Sequence, residues 1–172
     1  MPIADTDIEH RYSVDGSFED PQPDKDDSLG GELSATEIPD DTLNNDMSDI
    51  TSAEAAAGVT KYRGWMYVNK HASLTYIGPK MWIESQTSSA DTSVAIGMAV
   101  EAKNLPIEVI TNELTPPSTV VFSTPANFAA GLAVGDLDPD DYKGHWLKYI
   151  VTAGANAVVD TYTLAIRGDT NP

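Results

Sequence analysis

The stretch KYRGWMYVN, residues 61–69, alternates between two sets of side chains with a period of two. One set is Tyr62, Gly64, Met66 and Val68, and the other is Arg63, Trp65, Tyr67 and Asn69. Successive side chains of a β-strand point to opposite faces of a sheet, so this alternation predicts a strand. The residues just before it, SAEAAAG, are typical of a helix. The change of period near Gly58 therefore marks the start of a β domain.

Further stretches with strand character follow along the chain, separated by turn signals about every ten residues. They are SLTYIGPKMWIES (73–85, broken at Gly78-Pro79), DTSVAIGMAV (91–100), PIEVITN (106–112), STVVFS (118–123), HWLKYIVT (145–152) and VVDTYTLAIRG (158–168). About eight short strands without strand–helix alternation predict an all-β fold, a single antiparallel β-sandwich. Small residues at Ala95, Gly97 and Ala99 predict that another element packs closely on that face.

The segment GDLDPDDYKGHWLKYIV, which begins at Gly135, helps to choose the type of sandwich. Leu137 and Pro139 precede Tyr142 at the start of a predicted strand. This resembles the tyrosine corner of immunoglobulin-like sandwiches, in which the tyrosine hydroxyl bonds back to the backbone, although the spacing is one residue shorter than in fibronectin-type domains. The prediction is an immunoglobulin-like sandwich, with a jelly roll as the alternative.

The first third of the chain carries most of the charge. Residues 1–57 contain 16 acidic and 2 basic side chains, whereas residues 58–172 contain 11 acidic and 8 basic ones. Pro21, Pro23 and the glycine pair at 30–31 interrupt this acidic stretch, which predicts an extended or disordered arm over residues 1–39. Phe18, Leu29, Leu33 and Ile38 are isolated apolar residues within it and are predicted to anchor the arm on a partner. A purely solvated tail is the alternative.

Residues 40–57 are predicted to connect this arm to the sandwich at residues 58–172. Leu43, Met47 and Ile50 have the spacing of one helix face, and Asp40, Asp41 or Thr42 is able to cap such a helix. A second helical turn is expected from a cap at Ser52 to Ala57, with Gly58 ending it.

Several classes of function are disfavoured by composition. The chain has no cysteine, which excludes disulfides and zinc–thiolate sites. It has no apolar run long enough for a membrane span and no apolar segment of a secretory signal near its first residue. A formal charge of −17 without a basic cluster argues against a nucleic-acid partner. His10, His71 and His145 have no metal or triad spacing, and no motif of an enzyme is present, so a non-enzymatic protein is expected.

The acidic turn DLDPDD is the best candidate for a metal site, and no other cofactor is expected. Asp136, Asp138 and Asp140 match the first three acidic positions of a calcium-binding EF-hand loop. Asp141 replaces the required glycine, and Leu147 stands where the bidentate glutamate belongs. A solvated acidic turn is therefore the favoured interpretation, and a calcium site outside the EF-hand class is the weaker hypothesis.

A tryptophan and a tripeptide each suggest a further functional hypothesis. Trp65 lies on the more polar side of its predicted strand, whereas Trp82 and Trp146 lie in apolar runs and are expected in the core. An exposed Trp65 would suit a carbohydrate-binding module. The tripeptide RGD at residues 167–169 is explained by a strand end followed by a turn, with cell adhesion as a minor alternative.

Three stretches of the chain together resemble small virion proteins of tailed phages and related viruses. They are SLGGELSATEIPDDTLNNDMSDITSAEAAAGVTKYRGWMYVNK (28–70), KMWIESQTSSADTSVAIGMA (80–99) and GDLDPDDYKGHWLKYIVTAGA (135–155). The resemblance covers roughly residues 28 to 169 and is structural, without a catalytic signature. It implies a particle component, assembled in the host cytoplasm and located in the virion.

Within that resemblance, a capsid decoration or cement protein is expected. It would bind the major capsid protein, or another virion protein, through its sandwich and arm, as a homo-oligomer and most simply a trimer. A tail, baseplate or head–tail joining component is the first alternative, and a carbohydrate-binding or adhesive surface module is a weaker one.

Overall fold

The computed structural model describes residues 2–40 and 42–170, so Asp41, one of the possible helix caps, lies outside the described residues. Its regular elements are eight strands, one α-helix and two single-turn 3-10 helices, the latter at Asp5–Asp7 and Lys25–Asp27. The strands and the α-helix are β1 (Ile8–Val14), β2 (Glu32–Glu37), α1 (Ser52–Ala57), β3 (Val59–Asn69), β4 (Tyr76–Ser85), β5 (Thr92–Met98), β6 (Leu132–Ala133), β7 (Tyr142–Val151) and β8 (Thr163–Thr170).

The strands form two antiparallel sheets, which confirms the predicted β-sandwich. The large sheet has the order β2-β1-β3-β7-β5, and the small sheet has the order β6-β4-β8. The longest pairing joins β3 to β7 in unbroken register from Val59↔Val151 to Val68↔Tyr142. This pair is therefore the centre of the large sheet.

The path of the chain alternates between the two sheets along most of the sandwich. From β3 to β8, each strand lies in the other sheet from the one before it. An immunoglobulin-like sandwich instead pairs several strands that follow each other in sequence, namely A with B, D with E, and F with G. The structure therefore shows an antiparallel β-sandwich whose chain crosses between the sheets at every step from β3 to β8.

The inner core lies between the two sheets. It consists of the side chains on one face of β3, β5 and β7 together with the inward side chains of the small sheet. Its fully buried members include Trp65, Met81, Val94, Ile96, Leu137 and Leu147. Apolar burial of this extent supplies most of the stability of a domain this size.

An outer core covers the other face of the large sheet. The connection between β5 and β6 folds back over that face, and we call residues 99–131 the covering segment. Ile107 and Ile110 of this segment pack against the outward side chains of the sheet, and the N-terminal region adds Leu33. Because both faces of the sheet are covered, β3 is buried without interruption from residue 61 to residue 69.

The two strands predicted at 106–112 and 118–123 belong to this covering segment and are not strands. Single bridges, Gly31↔Ile107 and Ile96↔Ser123, are the ladder contacts that the structure shows there. Glycines leave room for the segment: a Cβ on Gly144 would lie 2.2 Å from Ile107 Cγ2, and one on Gly97 would lie 2.4 Å from Val120 Cγ1. The prediction of close packing at Gly97 is therefore correct.

The expected extended arm over residues 1–39 needs a correction, because β1 and β2 are integral strands of the large sheet. β1 pairs with β3 from Ile8↔Asn69 to Tyr12↔Trp65, and β2 pairs with β1. The apolar alternation in β1 is sparse and lies among acidic residues. Pairing with a long central strand compensates for this weak local pattern.

The connector also differs in part from its prediction. Residues 42–50 form turns and bends rather than a helix, with Met47 buried and Leu43 70% exposed. Helix α1 is present as expected and ends at Gly58, whose φ is 77°. Its N-cap is Thr51 instead of Ser52, because the Thr51 hydroxyl accepts a bond from the backbone N–H of Glu54.

The predicted tyrosine corner is replaced by another contact. Leu137 is fully buried in the inner core, and Pro139 lies in the exposed turn before β7. Tyr142 is buried at the start of β7, but its hydroxyl lies 3.5 Å from Glu32 Oε2 on β2 instead of bonding back to the backbone. Burial, with the nearby Glu32 carboxylate, raises the pKa of Tyr142 to about 12. The residue therefore joins the N-terminal strands to β7.

Candidate docking surface

The covering segment carries most of the large apolar side chains that face solvent. Among the described residues ten large hydrophobic side chains are exposed, and six of them lie between residues 100 and 128. These six are Val100, Leu105, Val109, Leu114, Val121 and Phe128. Phe128 contacts Trp82 on the small sheet, whereas Val109 lies on the side of the outer core, so the six side chains lie on more than one surface. Exposed apolar side chains are candidate contacts with another protein.

Backbone hydrogen bonds hold this segment in place. Ile107 and Gly31 exchange two bonds of 2.8 and 3.0 Å, and Ile110 donates to Leu29 at 2.9 Å. Further along, Ser123 and Ile96 exchange two bonds of 2.9 Å. The exposed apolar side chains are thus presented by a fixed backbone, which lowers the entropy lost when a partner binds.

An ionic network around two buried cations ties the covering segment to the rest of the molecule. Glu113 of the segment pairs with Arg63 at 2.5 Å and with Lys61 at 3.0 Å. Arg63 also pairs with Asp26 at 2.6 Å, and Lys61 pairs with Glu54 of α1 at 2.9 Å. The guanidinium of Arg63 is inaccessible to solvent, so these carboxylates are its required partners.

The ionisation of the network follows from its contacts. Burial alone would raise the pKa of Asp26, but hydrogen bonds from Ser48 and Arg63 outweigh it and hold this pKa at about 2. The backbone N–H of Thr51 and the ammonium of Lys61 hold the pKa of Glu54 at about 2. Both carboxylates are therefore charged in the folded protein at neutral pH.

The four predicted arm anchors are mostly occupied within the chain itself. Leu33 and Ile38 are 1% and 6% exposed, and Leu29 is partly buried against the outer core. Phe18 is 52% exposed, with its ring centroid 5.7 Å from that of Tyr142. Of the four, Phe18 is the one whose side chain is largely available to a partner.

The calcium candidate is not assembled as a cage. Asp136 accepts from the backbone N–H of Gly78 at 2.7 Å, and Asp138 accepts from the hydroxyl of Thr75 at 2.6 Å. Asp140 pairs with Lys70 instead. Within residues 2–40 and 42–170, no group of three or more His, Cys, Asp or Glu side chains is placed to hold a metal ion. The three carboxylates thus serve the turn before β7.

Two histidines meet in the inner core. The Nε2 atoms of His10 and His145 lie 3.1 Å apart, and both rings stack on Tyr67 at centroid distances of 4.5 and 4.7 Å. Burial lowers the pKa of His10 to about 3, and burial together with His10 lowers the pKa of His145 well below its usual value. The pair is neutral, and one imidazole donates to the other.

Sequence spacing gave no sign of this pair, because the two histidines are brought together by the strand order β1-β3-β7. His71 lies elsewhere, in the turn after β3, where its Nδ1 accepts backbone N–H groups of residues 73 and 74. Nδ1 of His145 has no hydrogen-bond partner among the described residues. His145 is fully buried and His10 is partly buried, so the pair is a polar element at the edge of the inner core.

The tryptophans differ from their expected roles in two cases. Trp65 is 1% exposed, because its side of β3 faces the inner core, so the suggestion of a sugar platform there is wrong. Trp146 is fully buried, as expected. Trp82 is partly exposed on the small sheet and contacts the edge of Phe128 at 5.9 Å between centroids.

No family model, curated protein or solved structure matches the chain. Among the described residues, no helix has the length and apolar character needed to cross a membrane. The described residues form open clefts, two of which have volumes of about 410 and 520 Å³. The first is lined by the connector and the N-terminal region, and the second by the N-terminal region and the covering segment.

Proposed function

We propose that this chain is a non-enzymatic structural protein of a virus particle, a capsid decoration protein that binds the major capsid protein. The observation that carries the proposal is the covering segment, with six exposed apolar side chains on a backbone fixed by hydrogen bonds. Exposed apolar side chains on a fixed backbone suit contact with another protein. It takes the place of the N-terminal arm as the main docking element.

Two further features support a place in a virus particle. The sequence resembles small virion proteins over most of its length, and a two-sheet β architecture is one that viral capsid proteins also use. The fold alone is an analogy, since one fold serves many functions. The acidic N-terminal region is suited to a basic partner, and the strength of such a contact decreases as salt rises.

Purified particles of the virus that encodes the chain provide the test. Particles with and without the chain are compared by quantitative mass spectrometry after separating heads from tails. Many copies in the head fraction, and rebinding of added chain to heads that lack it, support decoration. A few copies in the tail fraction support the tail or baseplate alternative, and absence from both fractions overturns the proposal.

A further inference from the structure

Two cations stand opposite each other on the outer face of the small sheet. Lys80 of β4 and Arg167 of β8 are partners in register, so their side chains share one face. Neither forms an ion pair with a described residue, although the chain has 27 acidic side chains. Directly opposed like charges destabilise a sheet, so this arrangement is unfavourable in the isolated molecule.

Aromatic rings lie beside these cations. Trp82 is two residues after Lys80 and points to the same side of β4, and Phe128 packs against it edge to face. The Lys80 ammonium lies 5.3 Å from the centre of the Phe128 ring. Phe128 is 43% exposed. We call Lys80, Trp82, Phe128 and Arg167 the cationic patch, a surface that combines apolar rings with two positive charges.

A surface of complementary character lies on the far side of the molecule. The cleft of about 520 Å³ has apolar walls from Val14, Leu29 and Val109 and acidic groups at Asp15 and Asp27. Both aspartates are exposed, and neither carboxylate forms an ion pair within the described part of the chain. We call these five residues the acidic pocket.

We propose that the cationic patch of one copy docks into the acidic pocket of a second copy. The aromatic rings would fill the apolar pocket, and Lys80 and Arg167 would approach Asp15 and Asp27 of the other copy. The cationic patch has two unpaired positive charges and the acidic pocket has two unpaired negative charges, each beside apolar groups. The two surfaces are therefore complementary in charge. The inference does not depend on the proposed role in a virus particle.

The placement of the two surfaces determines the type of assembly. The acidic pocket lies on the side of the outer core, to which Leu29 belongs, and the cationic patch lies on the outer face of the small sheet. A contact between two different surfaces is heterologous, so it builds a ring where the rotation closes and an open chain where it does not. The trimer expected from the sequence is one such ring.

A second copy is favoured as the occupant because both halves of the contact are present in this chain. Copies with a formal charge of −17 repel one another. Docking of the cationic patch in the acidic pocket opposes that repulsion with direct pairing of opposite charges. Screening at physiological ionic strength limits the long-range repulsion to about 8 Å, which leaves the short contacts effective.

Charge reversal on each surface tests the proposal. The full chain is studied by size-exclusion chromatography with light scattering, from about 10 to 500 μM in buffer of physiological ionic strength. We expect the wild-type mass to rise above the 18.4 kDa of one chain as concentration increases. Lys80→Glu/Arg167→Glu and Asp15→Lys/Asp27→Lys should each weaken association about tenfold or more, since each replaces attraction by repulsion.

The decisive sample is an equimolar mixture of the two variants. In the mixture, the unchanged acidic pocket of the first variant matches the unchanged cationic patch of the second, and the two reversed surfaces match each other, so the mixture should associate again. The double variant Lys70→Glu/Lys148→Glu alters charge by the same amount elsewhere and should associate like the wild type. Circular dichroism checks folding, and Lys80→Gln/Arg167→Gln replaces the reversal if that variant unfolds.

Three outcomes overturn the proposal. They are a wild-type chain that stays monomeric up to 500 μM, charge variants that associate as strongly as the wild type, and a mixture that stays monomeric. Monomers in every sample would leave an anionic ligand of another kind as the better explanation of the cationic patch.

Discussion

The imidazoles of His10 and His145 share a hydrogen bond in the inner core, Nε2 to Nε2 at 3.1 Å, although 135 residues separate them in sequence. They belong to β1 and β7, which flank β3, and Tyr67 of β3 stacks on both rings. A single proton between the two nitrogens satisfies the pair. A second proton would place positive charge in an apolar core, which is costly.

We therefore expect the protein to lose stability in mild acid. The unfolded chain binds protons at these imidazoles below about pH 6.5, whereas the folded chain does so at His10 only near pH 3. The unfolded state then binds more protons, and the free energy of unfolding decreases as pH falls through this interval. At pH 5 the loss is about 2 kcal/mol for His10. Urea unfolding at pH 7.5, 6 and 5 measures it.

The double variant His10→Gln/His145→Gln provides the comparison, because it keeps hydrogen-bonding groups that do not titrate. Its unfolding free energy should change much less between pH 7.5 and 5 than that of the wild type. Asp26 and Glu54, with pKa values of about 2, contribute to acid sensitivity mainly below about pH 4 and leave this interval largely unaffected. Equal pH dependence in the two proteins would contradict the assignment.

Replacing the buried Arg63 by methionine should be strongly destabilising. The substitution fills similar volume but leaves Asp26 and Glu113 without their shared guanidinium. Asp26 and Glu113 are 31% and 28% exposed, and Glu113 keeps its pair with Lys61, so the loss should be about 1.5–3 kcal/mol. Urea unfolding at pH 7.5 measures the loss. Arg167→Met, which removes an exposed cation without an ion pair among the described residues, should change the unfolding free energy by less than about 0.5 kcal/mol.

A methyl group at Gly144 should displace the covering segment. The added Cβ of Gly144→Ala would lie 2.2 Å from Ile107 Cγ2, so Ile107 must move. We expect a loss of about 1–3 kcal/mol and faster amide hydrogen exchange at Ile107 and Ile110. The double variant Gly144→Ala/Ile107→Ala relieves the overlap. Its loss should be smaller than the sum of the two single losses, whereas simple additivity would argue against this contact.

Serine substitutions on the covering segment test the docking surface. Leu105, Leu114 and Val121 are at least 50% exposed, so replacing all three should leave the unfolding free energy nearly unchanged. Binding to particles that lack the chain should fall at least tenfold in a co-sedimentation assay. The matched control is Val158→Ser/Val159→Ser, which removes exposed apolar groups outside the segment. Equal loss in both variants would show that the segment has no special role.

Local patterns located some elements better than others. The predicted strand at 61–69 matches β3, and those at 91–100 and 145–152 overlap β5 and β7. Residues 106–112 and 118–123 had equally good local patterns but form the covering segment, because their apolar side chains cover a sheet face instead of extending a ladder. An apolar run reports that side chains are buried, but it does not report which backbone groups they bring into contact.

The N-terminal region shows the opposite error. Its acidic composition hid β1 and β2, and isolated residues such as Leu33 and Ile38 were interpreted as anchors for a partner. In the structure the central strands supply both the hydrogen bonds and the apolar surface that these short strands lack. A strand of weak local preference is stable when it pairs beside a long buried one.

The sequence by itself determined the all-β class, the central strands, the helix before β3 and the glycines that allow close packing on the large sheet, because these depend on neighbours a few residues apart. Tertiary structure alone decided the order of the strands in the two sheets, the meeting of His10 with His145, the sharing of Glu113 by Lys61 and Arg63, and the opposition of Lys80 to Arg167. Each of these depends on which distant strands become neighbours, and that choice is made by the burial of whole sheet faces rather than by any local pattern.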